Sequence, residues 1–150
     1  MFRGEGLYPA IGEMREVPVH GAPFAVSGPS GAIPVVTFDQ DHGPVRSLGY
    51  RFGDLAYSSD VVDLPESAFE ALTGLDVWIV DALRRAPHPT HAHLEKTLAW
   101  IARVRPRRAI LTNMHIDLDY RTLLRELPAN VEPAFDGMRL ETAPQDSSAP

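Results

Sequence analysis

The sequence predicts an α/β fold in which a mixed sheet carries helices on its outer face, and three observations lead there. The first third holds short apolar runs divided by glycine- and proline-bearing turn clusters, the pattern of strands. From Leu64 onward, helical and strand patterns alternate, as in βα units. The chain of 150 residues shows no internal repeat, and it is long enough for one domain with a modest core.

In order along the chain, VPV, FAV and IPVVTF between Glu16 and Phe38 read as strands, with GAP and SGPSGA as their turns. SLGYRF and LAYSSD flank the pair Gly53-Asp54 and predict two antiparallel strands. LPESAFEAL spaces Phe69 and Leu72 as a helix does and has a proline suited to its first turn. Val77–Val80 is a continuous apolar run, a strand covered on both faces, ending at Asp81 near a sheet edge. Thr90 is placed to cap a helix from about Ala92 to Val104, closed by Pro106, with Leu94, Leu98, Ile101 and Ala102 as its apolar stripe. AILT is a further strand, Asp119 starts a helix through Leu127, and VEPAF and MRLE flank a turn at Asp136-Gly137. Residues 1–141 form the expected domain, and the tail from Thr142 to Pro150 is expected to fray.

Composition narrows the chemistry. With no cysteine, disulfides and thiolate ligands are excluded, so any metal must be held by imidazole and carboxylate. Twenty acidic against fourteen basic residues, a net charge of −6, disfavour non-specific binding to nucleic acid. No apolar run reaches the roughly 18 residues of a membrane helix, and the charged opening segment is unlike a signal peptide. The expected location is therefore cytoplasmic, with no membrane partner.

Five of the six histidines and several aspartates fall at predicted strand ends or helix starts, where side chains converge on one rim of a sheet. His42 stands in DQDHG, where the following glycine permits a tight turn that frees the imidazole to coordinate; an exposed loop histidine is the alternative. Asp60, at the end of LAYSSD, can bridge two cations or cap the next turn. Asp81 can orient a neighbouring imidazole or serve as a helix cap. HPTHAH at residues 88–93 is the densest histidine cluster, and His91 is its best candidate for contacting a scissile phosphate, while His88 and His93 read as exposed. In LTNMHIDLDY, Asn113 offers a weak amide oxygen and His115 a competent ligand nitrogen, with Asp119 better read as a helix cap.

Taken in order, HG, SLGYRFGDLAYSSD, VWIVDALRRAPHPTHAHLEKTL, AILTNMHIDLDY and FDGM resemble the metallo-β-lactamase fold hydrolases. Within them the chain looks like the phosphodiesterase branch, close to phosphoribosyl cyclic phosphodiesterases and more distantly to tRNase Z, over Tyr8 to Glu141. The resemblance implies a four-layered αββα sandwich with two zinc or manganese ions at its rim. It implies that His42 is a terminal ligand, that Asp60 is the bridging carboxylate, and that His91 positions or protonates the phosphoester. In many relatives the last ligand is the histidine of a Leu-Thr-His strand end. Here that place is Asn113, and His115 stands two residues later. The family's HxHxDH loop, which supplies most ligands, occurs nowhere in the 150 residues, so the chain reads as the C-terminal half of such a sandwich, with sheet edge and apolar face exposed.

The function expected from this reading is metal-dependent hydrolysis of a small-molecule phosphodiester or cyclic phosphate by metal-activated water. The retained residues are His42, Asp60, His115 and Asn113 toward the metal and His91 with Asp81 toward the substrate, in a site incomplete without further ligands. Two other readings stand beside it. One is a non-catalytic remnant that binds a metal weakly or joins a partner supplying the missing half; self-association into a homo-oligomer is a separate expectation left open. The other is a plain structural domain whose histidines are incidental.

Overall fold

A computed structural model describes residues 16–17, 21–29 and 31–141. Among these residues there are three helices and seven strands, the strands forming one sheet in chain order: β1 (Phe24–Gly28), β2 (Gly31–His42), β3 (Val45–Phe52), β4 (Leu55–Ser58), β5 (Val77–Asp81), β6 (Arg108–Thr112) and β7 (Val131–Pro133). β1 to β4 pair antiparallel and β4 to β7 parallel, so the mixed sheet and the α/β class are as the sequence predicts. Three helices, α1 (Glu66–Ala71), α2 (Leu94–Val104) and α3 (Tyr120–Glu126), intervene in the second half.

Two-residue hairpins shape the β2–β4 stretch. Gly43-Pro44 joins His42 to Val45, and Gly53-Asp54 joins Phe52 to Leu55. Gly43 has φ 74°, which glycine supplies without a Cβ penalty, and a Cβ there would lie 2.9 Å from the Pro89 carbonyl oxygen. The parallel half is buried because helices cover it. Phe38, Ala56, Trp78, Val80, Ala109 and Leu111 share a core with Leu72, Leu94, Trp100, Ile101 and Leu123 from the helices or their ends. Trp78, fully buried, also donates its indole N–H to Ser58 Oγ at 3.0 Å, satisfying the one polar atom it carries inside.

Several local expectations change. α2 starts at Leu94 with His93 at its N-cap, not at a Thr90 cap. The residues before it are held extended: Ala92 donates to Val61 O at 2.7 Å, Leu83 donates to Ala92 O at 2.9 Å, and His93 bridges to Arg84. The buried face of α2 is Leu94, Thr97, Trp100 and Ile101, while Leu98 is partly buried and Ala102 is exposed. Thr97 replaces an apolar residue there because its hydroxyl donates to the Asp81 carbonyl at 2.7 Å. Asp81 lies not near a sheet edge but at the end of an interior strand, between β4 and β6, and is fully buried. The Asp136-Gly137 turn forms, with Gly137 at φ 84°, yet among the described residues no strand follows it; β7 instead extends the parallel half beside β6. Val19 of the expected VPV strand and the tail from Thr142 lie outside the described residues.

Candidate metal centre

The ends of β2, β4 and β5 bring three side chains together. His42 closes β2, Asp60 follows β4, and His91 lies between β5 and α2. Among the described residues these three form the one group whose ligand atoms could share an ion, all within 4.8 Å of one another. The two imidazoles meet edge to face, ring centroids 4.8 Å apart at 77°.

Each member is held by what lies behind it. His42 Nδ1 is 2.7 Å from the Thr90 carbonyl oxygen, which can only accept, so Nδ1 carries the proton and Nε2 keeps the lone pair. Gly43 permits this, because the 88–90 segment approaches its backbone closely. His91 Nδ1 donates to Asp81 Oδ2 at 2.7 Å, so its Nε2 likewise keeps the lone pair. Burial pushes the Asp81 carboxyl above its ordinary range, against hydrogen bonds from His91, the Val61 amide and Asn113 that pull it down. The Val61 amide reaches Asp81 Oδ2 at 3.3 Å and the Asn113 amide reaches Oδ1 at 3.5 Å. Asp60 takes a left-handed backbone with φ 55°, uncommon outside glycine and best tolerated by Asn and Asp.

The other sequence candidates are placed apart. Asn113, at the end of β6 with φ 58°, sets its amide nitrogen 3.2 Å from His91 Nδ1 and so belongs to the surroundings of His91. His115, expected as an alternative last ligand, is not brought into the cluster. Its amide donates to Leu83 O at 2.7 Å and its exposed ring pairs with Asp117. His88 is half-buried rather than exposed, with its ring 5.3 Å from that of His91, and desolvation and then Arg84 hold it below the ordinary histidine range. Sequence reasoning missed Gln40 and Ser47, which brace the loop carrying Asp60. The period of two in β2, which sets Phe38, Gln40 and His42 on one face, was the available signal.

The donor set fits a divalent transition cation: two imidazole nitrogens and one carboxylate oxygen, each imidazole oriented by an oxygen on its far nitrogen. Comparison with known proteins agrees with this architecture. The model of the beta-lactamase superfamily domain matches residues 5–116. The chain belongs to this superfamily. The crystal structure of a diphosphatase from the PhnP family is similar at 33% identity with a TM-score of 0.77, over 83% of this chain and 48% of that one. Zn(2+)-bound PqqB from Methylobacterium extorquens shares the fold at 15% identity and a TM-score of 0.61, over 85% of this chain and 55% of that one. An octanoyltransferase from Porphyromonas gingivalis is 27% identical over 100 residues, 65% of this chain and 20% of that protein. This superfamily member thus spans about half the length of the two solved structures, and its sheet is a piece of the metallo-β-lactamase fold. Among the described residues, no helix is long and apolar enough to cross a membrane.

Proposed function

We propose that the chain contributes His42, Asp60 and His91 to a divalent-cation centre for hydrolysis of a small-molecule phosphodiester or diphosphate, with zinc or manganese as the ion. The observation that carries the reading is the convergence of those three donors, with the Nδ1 of each imidazole engaged by a fixed oxygen so that the lone pair lies on Nε2. His91, expected to contact the phosphoester, groups with the donors. A bound divalent cation supplies Lewis-acid stabilisation of charge on phosphoryl oxygen. Asp81 keeps the His91 proton on Nδ1, and Asn113 lies beside that same nitrogen. His115 and Asp117 stand outside the donor cluster and are left to the loop. The resemblance of this chain to a diphosphatase supports phosphoryl chemistry over other hydrolysis.

A second reading is favoured by the donor count. Three protein donors suffice for one ion, whereas a two-ion site needs more, and Asn113 stands where a histidine is usual in the resembling family. On that reading the isolated chain holds one ion and does not turn over. Calorimetric titration with Mn2+ or Zn2+ and cleavage of bis(p-nitrophenyl) phosphate decide between the two. One ion per chain with no cleavage supports the second reading, and cleavage lost in Asp60→Ala supports the first. Ion affinity that is unchanged in the double variant His42→Ala, Asp60→Ala overturns both.

A further inference from the structure

Of the three donors, Asp60 alone sits in the left-handed region, at φ 55°, and the peptide groups on either side of it are held by a pair of side chains. Gln40 Nε2 donates to the Ser59 carbonyl at 3.0 Å and to Ser47 Oγ at 3.2 Å. Ser47 Oγ in turn donates to the Asp60 carbonyl at 2.6 Å. A carbonyl only accepts, so the Gln40 amide must turn its nitrogen toward the loop. Its Oε1 is then buried without a partner among the described residues, and Gln40 is 0% exposed. An unpartnered buried amide oxygen is costly and uncommon in native folds. No alternative rotation relieves it while keeping both donated bonds. Gly49, opposite Phe38 on the neighbouring strand, leaves room first for the Phe38 ring and then for this amide: a Cβ there would overlap the ring and lie 2.8 Å from Gln40 Oε1. The cost is therefore tied to one outcome, the fixed course of the chain through Ser59 and Asp60.

We infer that Gln40 and Ser47 are positioning residues that hold Asp60 left-handed, so that its carboxylate faces His42 and His91 before any cation arrives. The inference rests on the reading of Asp60 as a ligand. Preorganisation of this kind lowers the ordering cost of binding, and partners behind metal ligands typically change affinity by roughly 10–100-fold.

Gln40→Met is the test, because methionine matches the volume while removing both donors and the orphan oxygen. The expected result is an unfolding midpoint in urea equal to or above that of the unsubstituted protein, with Mn2+ affinity about tenfold weaker. A residue that served stability alone would lower both. In the ion-free protein, the Asp60 φ read by NMR from its amide–Hα coupling and backbone shifts is expected to leave the left-handed region. Ser47→Ala should move φ and affinity in the same direction by less, and Ser47→Thr, which keeps the hydroxyl, should restore both. An Asp60 φ unchanged in Gln40→Met, or in Ser47→Ala should Gln40→Met not fold, overturns the inference. So does a displaced φ with affinity within twofold of the unsubstituted protein. Asp60→Asn separates the two levels: unchanged affinity in that variant removes Asp60 from the ligand set, while the φ of the ion-free protein still judges the brace.

Discussion

Two histidine–aspartate pairs near the same rim differ in everything but composition. His91 and Asp81 come from a loop and an interior strand ten residues apart, with side-chain exposures of 16% and 0%. His115 and Asp117 lie two residues apart on one loop, with exposures of 56% and 48%. In the first pair the carboxylate is fixed from several sides: β5 carries it, Thr97 of α2 holds its backbone carbonyl, and the Val61 amide reaches its Oδ2. Its attraction for the imidazole acts away from bulk water, so ring and tautomer are set together. The second pair is surrounded by solvent, where the same attraction is screened and little is gained by holding the geometry. Proximity along the chain therefore says little about which histidine is prepared to coordinate. In these two pairs, the element that supplies the carboxylate sets how firmly the imidazole is held.

The largest expected effect comes from removing the buried carboxylate. Asp81→Ala should cost about 3 kcal/mol, because the Val61 amide and His91 Nδ1 lose their acceptor inside the fold. Cation affinity should fall with it, since the His91 tautomer is no longer fixed. Urea unfolding and Mn2+ titration check the two parts. A stability loss near zero would mean that the two pairs are equivalent after all. Next in size is Gly43→Ala, which asks whether the His42 arm of the site is prepared in the same way. An alanine there must hold φ 74° and would press on the Pro89 oxygen and Thr90 Cγ2, both at 2.9 Å. The expected cost is about 1–3 kcal/mol, together with weaker cation binding as the Thr90 carbonyl moves away from His42.

The same contrast explains what the sequence made legible. Strands that bury both faces announce themselves as continuous apolar runs, and VWIV and AILT appear at Val77–Asp81 and Arg108–Thr112 as read. The Gly53-Asp54 hairpin was readable for the same kind of local reason, a glycine at the first turn position. The start of α2 was not, because Thr90 is a good cap in isolation and what overrides it is long-range: backbone bonds from Ala92 to Val61 and Leu83 hold that segment extended. At the site, His42, Asp60, Asp81 and His91 were all marked by their positions at strand ends or beside a helix start. Their partners were harder to read, since Thr90 acts through a carbonyl and Gln40 through an amide whose only local sign is its place on the His42 face of β2. For His115 the reverse holds: residue type and spacing suit a ligand, while the turn of the loop sends its ring to Asp117 and leaves it outside the three-donor group.

A smaller effect probes the far end of the loop that carries His115. Asp119 caps α3, its carboxylate accepting from the Thr122 hydroxyl at 2.7 Å and the Thr122 amide at 2.8 Å. These bonds, the hydroxyl first, hold its pKa below the ordinary 3.8. A carboxyl whose folded pKa is depressed stabilises the fold above its unfolded value, and that contribution is lost as pH falls through the folded one. Unfolding midpoints of the unsubstituted protein should therefore drop from about pH 4 downward more steeply than those of Asp119→Asn, which keeps a capping oxygen without the titration. Equal slopes would show that the cap is not anchoring the loop through its charge.

The smallest effect is also the sharpest check on the comparison. Asp117→Ala removes the carboxylate partner of His115, as Asp81→Ala removes that of His91, so the two substitutions delete chemically matched pairs. Water replaces the lost partner of an exposed ring at little cost, and the expected change in stability is below about 0.5 kcal/mol. Mn2+ affinity should stay within error, because neither Asp117 nor His115 belongs to the donor group. A loss of affinity comparable to that of Asp81→Ala would bring His115 back as a ligand reached by movement of its loop. It would also mean that the fixed carboxylate behind His91 is not what selects the coordinating histidine.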